Sequence, residues 1–233
     1  MSFLRIPVLL VGACLTWKAL TPPHTSSQAE RLPMSLVGRF ALLFVPFMKS
    51  AHALSCLTEV ALILSEKYSS AAIPKFILSF MNLPALGTRS ISITLPFIIG
   101  STLVLAGAQL RMACYRELGR FFTFEMAIRK DHFLVRSGPY AYVRHPAYTG
   151  LIMTLAGAVT IQAGTGSWIR EYGWFEYKAS KAYLLFLAFS SLAVSLGSVM
   201  RGLKEDRALK ETFGVQWVQW AKDTPYKMFP FIY

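Results

Sequence analysis

Residues 137–161, SGPYAYVRHPAYTGLIMTLAGAVTI, decide the fold. Gly138-Pro139 is a turn signal. Arg144 and His145 then stand directly against Pro146, at the doorway of a long apolar run. Proline suits the first position of a helix, where its missing N–H is no loss, so a helix is expected to start at Pro146. A helix that crosses a bilayer needs about 20 mostly apolar residues, and Pro146 to Ala163 meets that description. Charge at such a doorway is costly unless something uses it.

The rest of the chain agrees with a membrane reading. Of its 233 residues 54% are hydrophobic and only 15% charged, against about 25% charged in an ordinary soluble domain. The expected fold is an all-α polytopic bundle of about five transmembrane helices, a single membrane domain over residues 1–233. The other candidate spans are Phe3 to Leu20, a stretch within Leu36 to Ser65, Ile91 to Leu110, and Ala182 to Met200. The first carries Arg5 and Lys18 near its ends, and no small-residue cleavage site follows, so it reads as a span and not a signal peptide. The second carries Pro46, Lys49, His52 and Glu59. It fits either one kinked helix or a short re-entrant piece plus a span. Small residues such as Ala106, Gly107, Ala156, Gly157 and Gly197 would let helices approach closely.

The net charge of +12 raises the possibility of nucleic acid, but the distribution argues against it. Seven Lys and Arg lie between Arg111 and Arg144, and six from Arg201 onward. Both groups flank apolar segments, as the positive-inside bias of membrane proteins requires. The 35-residue loop expected from Arg111 to His145 and the tail from Arg201 to Tyr233 therefore fall on one side, read as cytosolic, with the N-terminus lumenal. Residues 164–178 belong to the opposite side.

Several chemistries are absent. Gly164-Thr165-Gly166 lacks the third glycine and the strand–helix setting of a dinucleotide site, and no phosphate-binding P-loop is present. Cys14, Cys56 and Cys114 are far apart and suggest neither a disulfide framework nor zinc. His24, His52, His132 and His145 have no metal-ligand spacing, and no nucleophile stands with its base.

Two constellations remain. The expected helix start at Pro146 aims its N–H groups and dipole at the loop, a natural seat for an anion, and Tyr140, Arg144, His145 and Tyr148 crowd the same place. The plainer alternative makes Arg144 a positive-inside residue and the tyrosines an interfacial belt. The tail segment RGLKEDRALKETFGVQWVQW, residues 201–220, reads as an amphipathic helix, with Leu209, Phe213, Trp217 and Trp220 at helical spacing. Arg201 and Glu205, four apart, share a face, as a functional pair or as a solvated surface pair.

Taken together, GPYAYVRHPAYTG and the later R-x-x-x-E-D-x-x-L-x-x-x-F-G-x-x-W-x-x-W resemble the isoprenylcysteine carboxyl methyltransferase family. These integral membrane enzymes of the endoplasmic reticulum methylate the C-terminal carboxylate of prenylated proteins with S-adenosylmethionine. The resemblance covers roughly Arg111 to the C-terminus and implies a catalytic methyltransferase core over residues 111–233, with the cofactor site formed by the cytosolic loop and the C-terminal helix. It implies a cofactor site of Glu125, His132, Phe133, Leu134, Val135, Tyr140, His145, Pro146, Ala147 and Tyr148, closed by Glu205, with Arg201 as the catalytic residue at the substrate end. It also implies a prenylated C-terminal cysteine and membrane lipids as partners, no nucleic acid, and a multi-pass protein whose active site faces the cytosol. Asp206 stands where a second Glu is usual, and Trp217 and Trp220 where Tyr is common. The wider superfamily shares the R-H-P-x-Y-x-G core and includes phospholipid N-methyltransferases. Methylation of phosphatidylethanolamine, or a non-enzymatic membrane scaffold, are therefore the alternatives. A carboxylate is already ionised near pH 7, so methylating it needs no general base, in keeping with the missing dyad.

Overall fold

The computed structural model describes residues 2–23, 36–68, 91–122, 133–172 and 177–232. The helices are α1 (Arg5–Ala19), α2 (Leu36–Lys67), α3 (Leu95–Leu118), α4 (Pro146–Ala163), the short α5 (Trp168–Glu171), α6 (Lys178–Phe213) and α7 (Val215–Asp223). Among the described residues there is no strand, and five helices are long and apolar enough to cross a membrane. The all-α bundle expected from the sequence is what forms.

Side-chain contacts give the threading. Arg5 lies over the Phe97 ring and Gly12 faces Val104. At the other end Ala19 accepts from Arg111, so α1 and α3 run parallel. Gly100 packs on Gly157 and Gly107 on Gly150, so α4 returns antiparallel to α3. Gln162 meets Tyr183 at one end and His145 meets Gly202 at the other, so α6 runs antiparallel to α4. Arg5 meets Glu59 and Thr21 meets Lys49, which sets α2 antiparallel to α1. The end of α3, the start of α4 and the far part of α6 therefore share one face, as the hairpin reading required.

The α3–α4 contact is the closest in the bundle, and glycine makes it possible. A Cβ placed on Gly107 would lie 2.7 Å from the Gly150 carbonyl oxygen, and one on Gly157 2.5 Å from that of Gly100. Only residues without side chains let two backbones approach so closely. Gly107 and Gly157 thus do what the sequence suggested, whereas Ala106 and Ala156 are exposed.

Three expected boundaries shift. The second apolar segment is one 32-residue helix that contains Pro46, not a re-entrant piece plus a span. Its Glu59 is buried and paired with the equally buried Arg5. The Trp168 N–H also points to Glu59, and the Arg5 guanidinium donates to the Ser92 carbonyl. Two charges that interrupt separate spans in the sequence therefore satisfy each other.

The third span starts at Leu95, with Pro96 in its first turn, and continues to Leu118. Arg111 is consequently a buried helix residue and not the first residue of a loop. It can stay in the helix because backbone carbonyls receive its guanidinium.

The fifth span is a continuous 36-residue helix, Lys178–Phe213. At 1.5 Å per residue it is about 54 Å long, against a hydrocarbon core of about 30 Å, so its last turns stand beyond the core and carry Arg201 and Glu205 with them. The tail is therefore not one amphipathic helix from Arg201. Gly214, at φ +51°, ends α6 and starts α7, and this divides the Leu209, Phe213, Trp217, Trp220 row between two helices.

Candidate functional site

Gly138 adopts φ +56°, and its missing side chain leaves room for Glu117, which accepts from the Ser137 hydroxyl. This turn leads through a short 3-10 segment, Gly138–Ala141, to α4, which begins at Pro146 as the sequence indicated.

The tail crosses the start of α4 and is tied down by it. The Arg144 N–H donates to the Tyr226 carbonyl at 3.0 Å and the His145 N–H to that of Lys227 at 2.7 Å. The Thr149 hydroxyl donates to the Met228 carbonyl at 2.6 Å. The Tyr148 and Thr149 N–H groups both point back to the His145 carbonyl. The tail therefore takes the Arg144 and His145 N–H groups just before the helix, while those of Tyr148 and Thr149 turn back to His145.

What lies open is the side-chain cluster next to it. The Tyr148 hydroxyl donates to Glu205 Oε1 at 2.6 Å, and Arg201 Nε donates to the same oxygen at 2.9 Å. Glu205 Oε2 lies 3.6 Å from His145 Nδ1. The other ring nitrogen, Nε2, is 2.9 Å from Asp206 Oδ1, and Arg144 Nη2 donates to Asp206 Oδ2 at 3.1 Å. Arg144 is also received by the carbonyls of Thr224 and Pro225, and its guanidinium lies 5.7 Å from the Trp217 ring centroid. The His145 and Tyr148 rings stack with centroids 5.8 Å apart. Gly202 makes room for this, since a Cβ there would come within 3.3 Å of the His145 ring.

The two distant stretches thus meet. Two adjacent carboxylates of α6 diverge, Glu205 toward Tyr148 and Arg201, and Asp206 toward Arg144 and His145. The Glu205 and Arg201 side chains remain about a quarter exposed, at 25% and 26%, whereas Asp206 is 11% exposed. Glu205 and Arg201 can meet a ligand, and Asp206 serves the frame.

The remaining expected residues divide into groups. Val135, Tyr140 and Ala147 pack with Cys114 and Phe122 in one buried cluster. Burial pushes the Tyr140 phenol well above its ordinary value, with the Cys114, Glu205 and Tyr148 groups adding to the effect, so it is a neutral hydroxyl at any working pH. Pro146 is fully buried. Leu134 is half-buried, and Phe133 is exposed, edge-on to Phe121, so the structure does not bring Phe133 to the cluster. Glu125 and His132 lie outside the described residues. No group of three or more metal-ligating side chains occurs among the described residues.

Three supporting residues were not among the expected site residues, although Arg144 and Asp206 stand in the two motifs. Arg111 joins three helices, donating to the Ala19 carbonyl at 2.6 Å and the Ala147 carbonyl at 3.0 Å. Arg144 ties the loop to the tail, and Asp206 holds both Arg144 and His145. The available signal was a pair of adjacent acids, Glu205-Asp206, matched by an adjacent Arg144-His145.

Fold and site together define an all-α bundle with five potential membrane-crossing helices among the described residues and a polar cluster built at one mouth by α4 and α6. Within that class, the profile of the isoprenylcysteine carboxyl methyltransferase family matches residues 99–165. A relative from Arabidopsis thaliana, "Protein-S-isoprenylcysteine O-methyltransferase B", is 28% identical over 128 residues, covering 54% of this chain and 55% of its own. These matches support the likeness to that family over a segment that contains the first of the two motifs. The chain spans about half the length of that relative, and Arg201 and Glu205 lie beyond the segment the family profile matches.

Proposed function

We propose that this protein transfers a methyl group from S-adenosylmethionine to the C-terminal carboxylate of a prenylated cysteine, at the cytosolic face of the endoplasmic reticulum membrane. The observation that carries the reading is the convergence of Tyr148, Glu205 and Arg201 at the mouth of the bundle.

The donor set fits the cofactor. Glu205 is a half-buried carboxylate, suited to the cationic amino group or sulfonium, and Tyr148 supplies aromatic surface beside it. When bound, the cofactor contributes an activated methyl on sulfur. The protein's own contribution is placement. Arg201, partly exposed and next to Glu205, orients the substrate carboxylate through parallel N–H bonds. Asp206 fixes the His145 ring, which stacks on Tyr148 and so limits where Tyr148 can point. Aligning oxygen, methyl and sulfur to within about 3–3.5 Å is worth several powers of ten in rate. An oxygen nucleophile that is already ionised needs no base, and His145, its Nε2 held by Asp206 and its Nδ1 beside Glu205, is poorly placed to act as one. This counts against the amine of phosphatidylethanolamine as acceptor.

A bilayer site also suits the substrate. A prenyl tail partitions into lipid at about 0.8 kcal/mol per CH₂, and a mouth at the membrane edge receives it without passage through water. The test is transfer of a labelled methyl by purified full-length protein, offered either an N-acetyl farnesylcysteine or phosphatidylethanolamine vesicles. The reading expects base-labile label on the farnesylcysteine. Label on the lipid amine, or no transfer by protein that binds the cofactor, would sink it.

A further inference from the structure

A second hollow opens on the same face, between α1 and α3, with a volume of about 500 Å³. Trp17, Met112 and Tyr115 form its walls, Pro22 and Pro23 its upper edge, and Lys18 and Arg116 stand at its rim. A third cation, Lys49, borders it. The Lys49 ammonium lies 4.4 Å from the Trp17 ring centroid and donates to the hydroxyl of Thr21, itself a lining residue, at 2.8 Å. No carboxylate is among the described residues that line the hollow.

The hollow also has a lipid side. It lies between two helices long and apolar enough to cross a membrane, and their outer surfaces carry exposed apolar residues, Leu10 and Trp17 on α1 and Ile98 on α3. Tyr115 shares Arg111 with the carbonyl of Ala147, the residue before Tyr148, so Arg111 links the hollow to the start of α4.

We infer that this hollow is a binding site for an anionic glycerophospholipid, with the phosphate at Lys18, Lys49 and Arg116 and the acyl chains against its apolar walls and the adjoining surface of α1 and α3. Charge complementarity selects an anion, because cations near a membrane surface attract anionic headgroups and no carboxylate among the described lining residues opposes them. The apolar walls select a lipid over a soluble phosphate, since a free anion gains nothing from Trp17, Met112 or Tyr115. The site is independent of the proposed methyl transfer, and its test does not read activity.

The test is native mass spectrometry of the full chain in micelles, titrated with phosphatidylglycerol or with phosphatidylcholine of the same acyl chains. The inference expects a preference of about tenfold or more for phosphatidylglycerol. That preference is lost in the paired variant Lys18→Gln/Arg116→Gln at unchanged melting temperature. It is kept in Arg207→Gln/Lys210→Gln, two exposed cations of α6 away from the hollow, and it survives competition with inorganic phosphate. Absence of the preference, its survival in the first pair, or equal loss in both pairs overturns the site in favour of none or of diffuse attraction. Displacement by inorganic phosphate overturns the lipid as its occupant. Should the first pair melt early, Lys49→Gln reads the same site and must lower the preference at least severalfold.

Discussion

Replacing Gly150 with alanine tests how the bundle positions its site. The added Cβ would lie 2.6 Å from the Gly107 carbonyl oxygen, 2.9 Å from Arg111 Cγ and 3.1 Å from the Arg111 nitrogen. Ordinary contact begins near 3.4 Å, so α3 and α4 must separate locally by about 0.8 Å. The nearest atom is helix backbone and cannot rotate aside. Overpacking of this kind costs about 1–3 kcal/mol, or roughly 5 °C in melting temperature for a chain of this size. The displacement also reaches function. Arg111 is pushed directly, its guanidinium holds the Ala147 carbonyl, and Tyr148 is the next residue. A shift approaching 1 Å at a reacting centre can cost about 100-fold in rate. Gly150→Ala is therefore expected to melt early and to lose about 10- to 100-fold in methyl transfer, while Ala156→Leu, on the exposed side of the same helix, changes neither. Normal melting and normal transfer in Gly150→Ala, or equal damage from Ala156→Leu, would refute the reasoning.

Asp206→Asn removes the only carboxylate the structure gives Arg144 among the described residues. A fully buried pair broken on one side costs about 3–5 kcal/mol. Here two tail carbonyls still receive the guanidinium, so about 2 kcal/mol is expected, read as proteolysis of the tail at least about tenfold faster. Arg201→Ala is expected to lower transfer about 100-fold with a severalfold effect or less on cofactor affinity. Arg201→Lys should recover only part of this, since an ammonium cannot make two parallel bonds; full recovery would contradict the proposed role. Glu59→Ala strips the partner from buried Arg5 and should cost about 3 kcal/mol, visible as a lowered melting temperature. Cofactor affinity should not change, because that pair lies at the opposite end of the bundle.

Much of the fold was legible because spans are read from length and hydropathy alone. Pro146 named its own helix start, and Gly107 and Gly157 named the tight contact. Helix ends were harder. Arg111 looked like the edge of a loop because its partners are backbone carbonyls of Ala19 and Ala147, which no side-chain pattern records. Arg201 seemed to begin a separate tail helix because polarity rises there, yet α6 simply leaves the membrane and continues to Gly214. At the site, Tyr148, His145, Glu205 and Arg201 were picked out by the family resemblance of the two motifs, since spacing alone left surface alternatives open. The tail from Thr224 to Met228 was not, because it works through main-chain oxygens and its side chains carry no signal. The same carbonyls take the Arg144 and His145 N–H groups beside the helix start that the sequence had offered to an anion.

The central claim is that the start of α4 and the far part of α6 make one site. A double-mutant cycle on S-adenosylmethionine affinity tests it most directly, with Tyr148→Phe, Glu205→Gln and the combined variant in the full-length protein. The account predicts that both single variants weaken binding and that the pair is little worse than Glu205→Gln alone, because the 2.6 Å bond between them is lost once. Fully additive losses, or no loss from either change, would contradict it.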